Sequence, residues 1–92
     1  MSGETIIIYD ASAFSHDGAV RVYHIATRGP RTPRIVIDLG TADHATTSAF
    51  ARLVLLRRLL LKDGRDLRLA NLHSQAESLY EVSRLETVLP RV

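Results

Sequence analysis

Three short runs of β-branched and apolar residues, Thr5–Tyr9, Arg34–Leu39 and Leu67–Ala70, alternate with three stretches of helical spacing, and this alternation constrains the fold most strongly. Strands separated each time by a helical crossover can lie parallel, since parallel neighbours need such a connection, and the order predicts a parallel or mixed sheet. Ile35-Val36-Ile37 are apolar in succession, the pattern of a central parallel strand buried on both faces. The punctuation agrees. Ser15 with Asp17 opens a helix through Val22, Ile25 and Ala26, and Gly29-Pro30 ends it, glycine supplying a left-handed cap and proline blocking continuation. A long helix runs from about Thr47 to Lys62 and stops at Asp63-Gly64; a last helix runs from about Gln75 to Leu85, and Pro90 marks the end of regular structure. The expectation is an α/β fold in β-α-β-α-β-α order, a parallel or mixed sheet of about four strands with helices packed on it.

With 92 residues the chain has room for one domain spanning 1–92 and no linker, repeat or low-complexity stretch to divide it. Hydrophobic residues at 46% and charged residues at 24% exclude disordered, collagenous and coiled-coil classes. No cysteine is present, which removes disulfides, thiol nucleophiles and Cys-based zinc sites and fits a cytoplasmic location. The leucine runs Leu53–Leu56 and Leu59–Leu61 are interrupted by Arg57-Arg58, too short to insert in a membrane. A net charge of +2 spread over both halves does not resemble a nucleic-acid binder; Arg28–Arg34, with three arginines and no acid, reads as a solvated connector or a local anion patch.

The long helix carries more apolar residues than one face holds. Ala49, Leu53, Leu56 and Leu60 form the stripe expected to face the sheet. Phe50, Val54 and Leu61 form a second stripe, with Arg57 between the two. That second stripe is either the margin of a wide buried face or a partner-binding surface.

Ile35-Val36-Ile37-Asp38-Leu39, then seven residues, then Thr47-Ser48-Ala49-Phe50 opening a leucine-rich helix, resembles a STAS domain. The likeness continues without a gap through Lys62–Leu69, Asn71–Leu79, Val82-Ser83-Arg84-Leu85 and Val88-Leu89-Pro90, and extends more loosely back to Thr5. The resemblance implies a STAS-like α/β fold and a non-enzymatic protein-interaction module without cofactor, similar to a bacterial anti-sigma factor antagonist that binds an anti-sigma factor or serine kinase in a partner switch regulating transcription. It also places a phospho-acceptor at the start of the long helix. Against the family's Asp-Ser-Ser-Gly, this chain reads Thr46-Thr47-Ser48-Ala49, so Thr47 falls on the acceptor position between Thr46 and Ser48, while the aspartate and glycine are replaced. The resemblance then implies a docking face made of His44, Phe50, Val54, Arg57 and Leu61. The alternative it carries is the cytosolic STAS subunit that docks on the ATPase of an ABC-type phospholipid transporter and commonly ends in a segment like Val88-Leu89-Pro90. Family members usually have a further strand before the one at Thr5–Tyr9; without it a sheet edge is left for a partner strand or a second copy.

Enzymatic chemistry finds no motif. His16-Asp17 and Asp43-His44 set a carboxylate beside an imidazole, but neighbours in sequence rarely converge on one ion, and His16, His24, His44 and His73 form no i,i+4 pair. No P-loop, dinucleotide fingerprint or nucleophile elbow occurs and no metal site is expected; Asp38 ends a strand where α/β enzymes keep catalytic groups, and the STAS resemblance implies that it is structural.

Overall fold

In a computed structural model that describes residues 3–92, the β-branched runs become β1 (Glu4–Ile8), β3 (Arg34–Asp38) and β5 (Asp66–Ala70), and two-residue strands β2 (Ala13–Phe14) and β4 (His44–Ala45) lie between them. The helices are α1 (His16–Arg28), α2 (Thr47–Lys62) and α3 (Ser74–Val82). Strands β1, β3 and β5 form one parallel sheet in that order, with Ile6 opposite Val36 and Val36 opposite Arg68. β2 and β4 pair separately, also in parallel. A fourth position beside β5 is taken by the tail: Leu69 N–H donates to Pro90 O at 3.0 Å and Val92 N–H to Leu69 O at 2.8 Å. β1 remains an edge.

The helices share one side of the sheet. Ile7, Ile35, Ile37, Leu67 and Leu69 point into a single cluster with Ala19, Val22, Ala26, Ala49, Leu53, Leu56, Leu60, Ala76 and Tyr80, and Val36 lies outside it. β3 is the central strand and Ile35, Val36 and Ile37 are all buried, as that apolar run leads one to expect, although the helices cover only one face of the sheet. Val36 is shielded on the other face by its neighbours in the sheet, where Ile6 and Ile8 stay exposed.

Four of the five aromatic rings cross this core as a ladder. Tyr9 meets Phe14 at 5.0 Å between centroids, Phe14 meets Phe50 at 6.0 Å and Phe50 meets Tyr80 at 6.2 Å, all edge to face. The terminal hydroxyls are satisfied on carbonyls, Tyr9 on Ala13 at 2.7 Å and Tyr80 on Leu89 at 2.8 Å.

Helix ends follow local chemistry. Ser15 caps α1 by accepting from Gly18 N–H. Gly29 does not take the left-handed conformation expected of it, since its φ is −86°; glycine is needed because a Cβ there would meet Ile25 O at 2.6 Å. Gly64 does take it, with φ 72°, and lets Gly64 N–H reach Leu61 O and Arg65 N–H reach Leu60 O, closing α2. α3 ends three residues before the expected Leu85, because Arg84 adopts φ 53° and the same bond pair forms there, Arg84 N–H to Glu81 O and Leu85 N–H to Tyr80 O.

The turn at Gly64 delivers Arg65 into the interior, where it is 5% exposed and has no carboxylate partner among the described residues. Its guanidinium instead donates to three carbonyls, Thr32 O at 2.7 Å, Pro30 O at 3.2 Å and Ala26 O at 3.4 Å. The last is in the final turn of α1, where unpaired carbonyls and the helix dipole favour a cation. One side chain thus ties the end of α1, the connector to β3 and the start of β5. Arg65→Ala should cost about 3 kcal/mol in urea unfolding, because one buried and two partly buried acceptors lose their donor, and Arg65→Lys should recover less than half of it, since a single ammonium cannot span the three positions.

Candidate functional site

Polar and hydroxyl side chains gather at the carboxyl end of the sheet, where the start of α2 meets the loops after β3 and β5. The β2–β4 ribbon fixes that start. Thr46 N–H donates to Phe14 O at 3.1 Å, Ala45 N–H to Gln75 Oε1 at 2.8 Å and Ala76 N–H to Asp43 O at 3.3 Å, so β2 and α3 both hold the segment that enters α2.

Thr46 performs the cap. In extended conformation it accepts from Ala49 N–H at 3.2 Å on Oγ1 and from Phe50 N–H on its carbonyl, and Ser48 Oγ lies 3.3 Å from Thr46 Oγ1. Thr47, the first residue of α2, is exposed, and its hydroxyl makes no hydrogen bond among the described residues. The first turn of α2 holds no acid, so nothing offsets the positive end of the helix dipole.

His44 is exposed and its Nδ1 lies 2.8 Å from Asp43 Oδ1, a contact that holds the Asp43 carboxyl below its usual range. Behind them Asp38 spends both oxygens on the loops, accepting from Gly40 N–H at 2.8 Å and Asn71 Nδ2 at 3.0 Å. His73 lies with Nε2 2.9 Å from Gly40 O and Nδ1 2.8 Å from Ser74 Oγ. A carbonyl can only accept, so Nε2 carries the proton and, in the neutral ring, Nδ1 accepts from Ser74. Asn71 and Ser74 hold φ of 60° and 56°, the backbone cost of turning sharply from β5 into α3. Among the described residues no group of three His, Cys, Asp or Glu converges as metal ligands.

The expected docking face is not one surface. Phe50 is 2% exposed and sits in the aromatic ladder between Phe14 and Tyr80, so it is corrected from partner contact to core. Its substitution would test folding, not docking. Arg57 is mostly covered and spends its charge inside the fold: its side chain is 16% exposed, and it pairs with Asp66 at 3.0 Å and donates to Val88 O at 3.3 Å. Val54 is half-buried against the core, and Leu61 and His44 are exposed. The physical reason is that α3 and the tail, through Tyr80 and Val88, come down over this side of α2. The wide buried face accounts for most of the second stripe.

Leucines that sequence spacing did not separate from the core lie on the opposite flank. Val20, Tyr23 and His24 of α1 and Arg52, Leu55, Leu56 and Leu59 of α2 line a groove of about 470 Å³. The available signal was the surplus itself, since a helix with leucine at 53, 55, 56, 59, 60 and 61 cannot turn all of them to one sheet.

Among the described residues no helix is long and apolar enough to cross a membrane. The chain matches no family model, no curated protein and no solved structure.

Two predictions separate these roles. Thr46→Ala should lower stability by about 1 kcal/mol through loss of the cap, whereas Thr47→Ala should change it by less than about 0.5 kcal/mol, both read from chemical unfolding. Asp66 is pushed up by partial burial but held below the ordinary carboxylate range overall by Arg68, the Leu67 N–H and Arg57. A depressed folded pKa stabilises above the unfolded value and is lost as pH falls through the folded one. The destabilisation caused by Asp66→Asn should therefore be about 1–2 kcal/mol at neutral pH and shrink as pH falls from about 4 downward.

Proposed function

We propose that the chain is a non-enzymatic STAS-type interaction module that works as a bacterial anti-sigma factor antagonist does, capturing an anti-sigma factor or serine kinase in a partner switch with Thr47 as its phospho-acceptor. The observation that carries this reading is the division of labour at the start of α2. Thr46 takes the cap bond, Ser48 leans on Thr46, and the Thr47 hydroxyl is left exposed. A cap cluster alone has no use for that third hydroxyl.

The departures from Asp-Ser-Ser-Gly fit this geometry. Aspartate and threonine both serve at an N-cap, so Thr46 supplies the bond an acid would make there, without its charge. Ala49 is fully buried against the sheet, where a methyl group packs at no steric cost. A kinase would transfer the γ-phosphoryl group of ATP to Thr47 Oγ1, with the hydroxyl proton passing to the kinase's base and ADP leaving. The product would carry close to two negative charges at a helix start where the dipole is uncompensated and the Thr47 and Ser48 N–H groups are available. That charge stands beside exposed His44 and repels an acidic or apolar partner surface seated there.

A second reading, the STAS subunit docked on the ATPase of a phospholipid transporter, is favoured by the exposed leucines Leu55, Leu59 and Leu61, an apolar surface that no change at Thr47 hides. Capture from native lysate with intact-mass analysis tests the two. The regulator reading expects a kinase-like partner, phosphate on Thr47 and loss of capture by about tenfold or more in Thr47→Glu, with Thr47→Ala retained. Unmodified protein recovered with an ABC ATPase, and equal capture by Thr47→Glu, would overturn the switch.

A further inference from the structure

The net charge of +2 hides a division. Apart from Arg57, which is paired with Asp66, α1 and α2 together hold the exposed cations Arg21, Arg28, Arg52, Arg58 and Lys62 against one acid, Asp17, while α3 holds Glu77 and Glu81 and no base. His16 and His24 add to the basic side when protonated. Most of the remaining cations are committed elsewhere: Arg31 to Asp63, Arg34 to Glu4, Arg68 to Asp66, Arg91 to Glu77 and Glu81, Arg65 to carbonyls. Arg52 is exposed on the groove between α1 and α2 and has no ion pair or hydrogen bond among the described residues.

The floor of that groove is apolar. Leu56 closes it, and Tyr23, Leu55 and Leu59 flank it at 42%, 55% and 43% exposure. Tyr23 is also the one aromatic ring that the core ladder does not use. A leucine floor with a tyrosine and an arginine on its rim has the composition of a recognition surface.

From this complementarity we infer that the α1–α2 groove docks an amphipathic helix of a protein partner, its apolar stripe on Tyr23, Leu55 and Leu59 and its carboxylates against Arg52. The exposure of the lining residues decides against a small ligand, which would leave them in water, whereas a helix lying along the groove covers them together. A bilayer is flat and would touch only the rims. A second copy offers α3 as its acidic helix, but Glu77 and Glu81 are already paired with Arg91 and the apolar Tyr80 is buried. The inference rests on reading the chain as a docking module and is independent of the Thr47 switch, since it uses the flank between the two helices and not the start of α2.

The probe is a designed peptide of about four helical turns with leucine at i, i+3, i+4 and i+7 and glutamate on the flanks, beside a counterpart in which every glutamate is lysine. Amide shifts of the full chain should concentrate at Tyr23, His24, Arg52, Leu55 and Leu59 with the acidic peptide. Affinity should fall about tenfold or more with Arg52→Glu or with the lysine peptide, and should weaken as salt is raised. Leu59→Asp should abolish it. Both substitutions are at exposed positions, and unchanged thermal midpoints would show the fold intact. Thr47→Glu should leave peptide binding as it is, so failure here and failure of the switch are told apart. Equal binding of both peptides, shifts that map to the start of α2, or no binding would overturn the inference. Binding of anionic vesicles abolished by Arg52→Glu, without peptide binding, would overturn it in favour of a membrane surface. Concentration-dependent self-association abolished by Arg52→Glu would overturn it in favour of a second copy.

Discussion

Three parallel strands laid down in chain order, with every helix on the same side, leave the sheet only one face on which to build a core, and the rest of the molecule follows from that restriction. The inward residues of β1, β3 and β5 meet all three helices in one cluster, so each helix can bury only the flank turned toward the sheet. α2 lies in the middle and carries leucine almost all the way round. One flank is satisfied by the sheet, a second by the tail and α3, and the third is left facing α1 across an open groove. The other face of the sheet is managed by charge: Glu4 faces Arg34 and Asp66 faces Arg68, which leaves Ile6 and Ile8 as its exposed apolar residues.

The fold was legible in the sequence where local chemistry decides it. Ser15 as a cap, Thr47 and Lys62 as the limits of α2 and Gly64 as its stop can be read because each rests on neighbours in the chain. The short β2–β4 ribbon could not be read, since two residues carry no periodicity and their pairing is set by the elements around them. Nor could the early end of α3, where an arginine takes a left-handed conformation that sequence statistics reserve for glycine or asparagine.

At the candidate site the hydroxyl cluster was visible and its division of labour was not. Which of three adjacent hydroxyls caps the helix depends on where the chain turns by one residue, and that turn is fixed by Phe14 O and Gln75, both distant in sequence. The wheel of α2 gave two stripes correctly as angles but could not say which flank the tail would cover. Phe50 and Arg57 changed role for that reason alone.

The tail has a bearing on how the protein comes to be folded during synthesis. Among the described residues the outer edge of β5 and the Tyr80 hydroxyl find their partners in the segment from Leu89 to Val92. Parallel strands already require contacts between distant segments, and here the closing contacts come from residues translated after everything they complete. A nascent chain shorter than this holds an unpaired strand edge and an open end to its core. Folding to the native state therefore waits until the tail has emerged from the ribosome, and until then the leucine-rich α2 needs shielding from other chains.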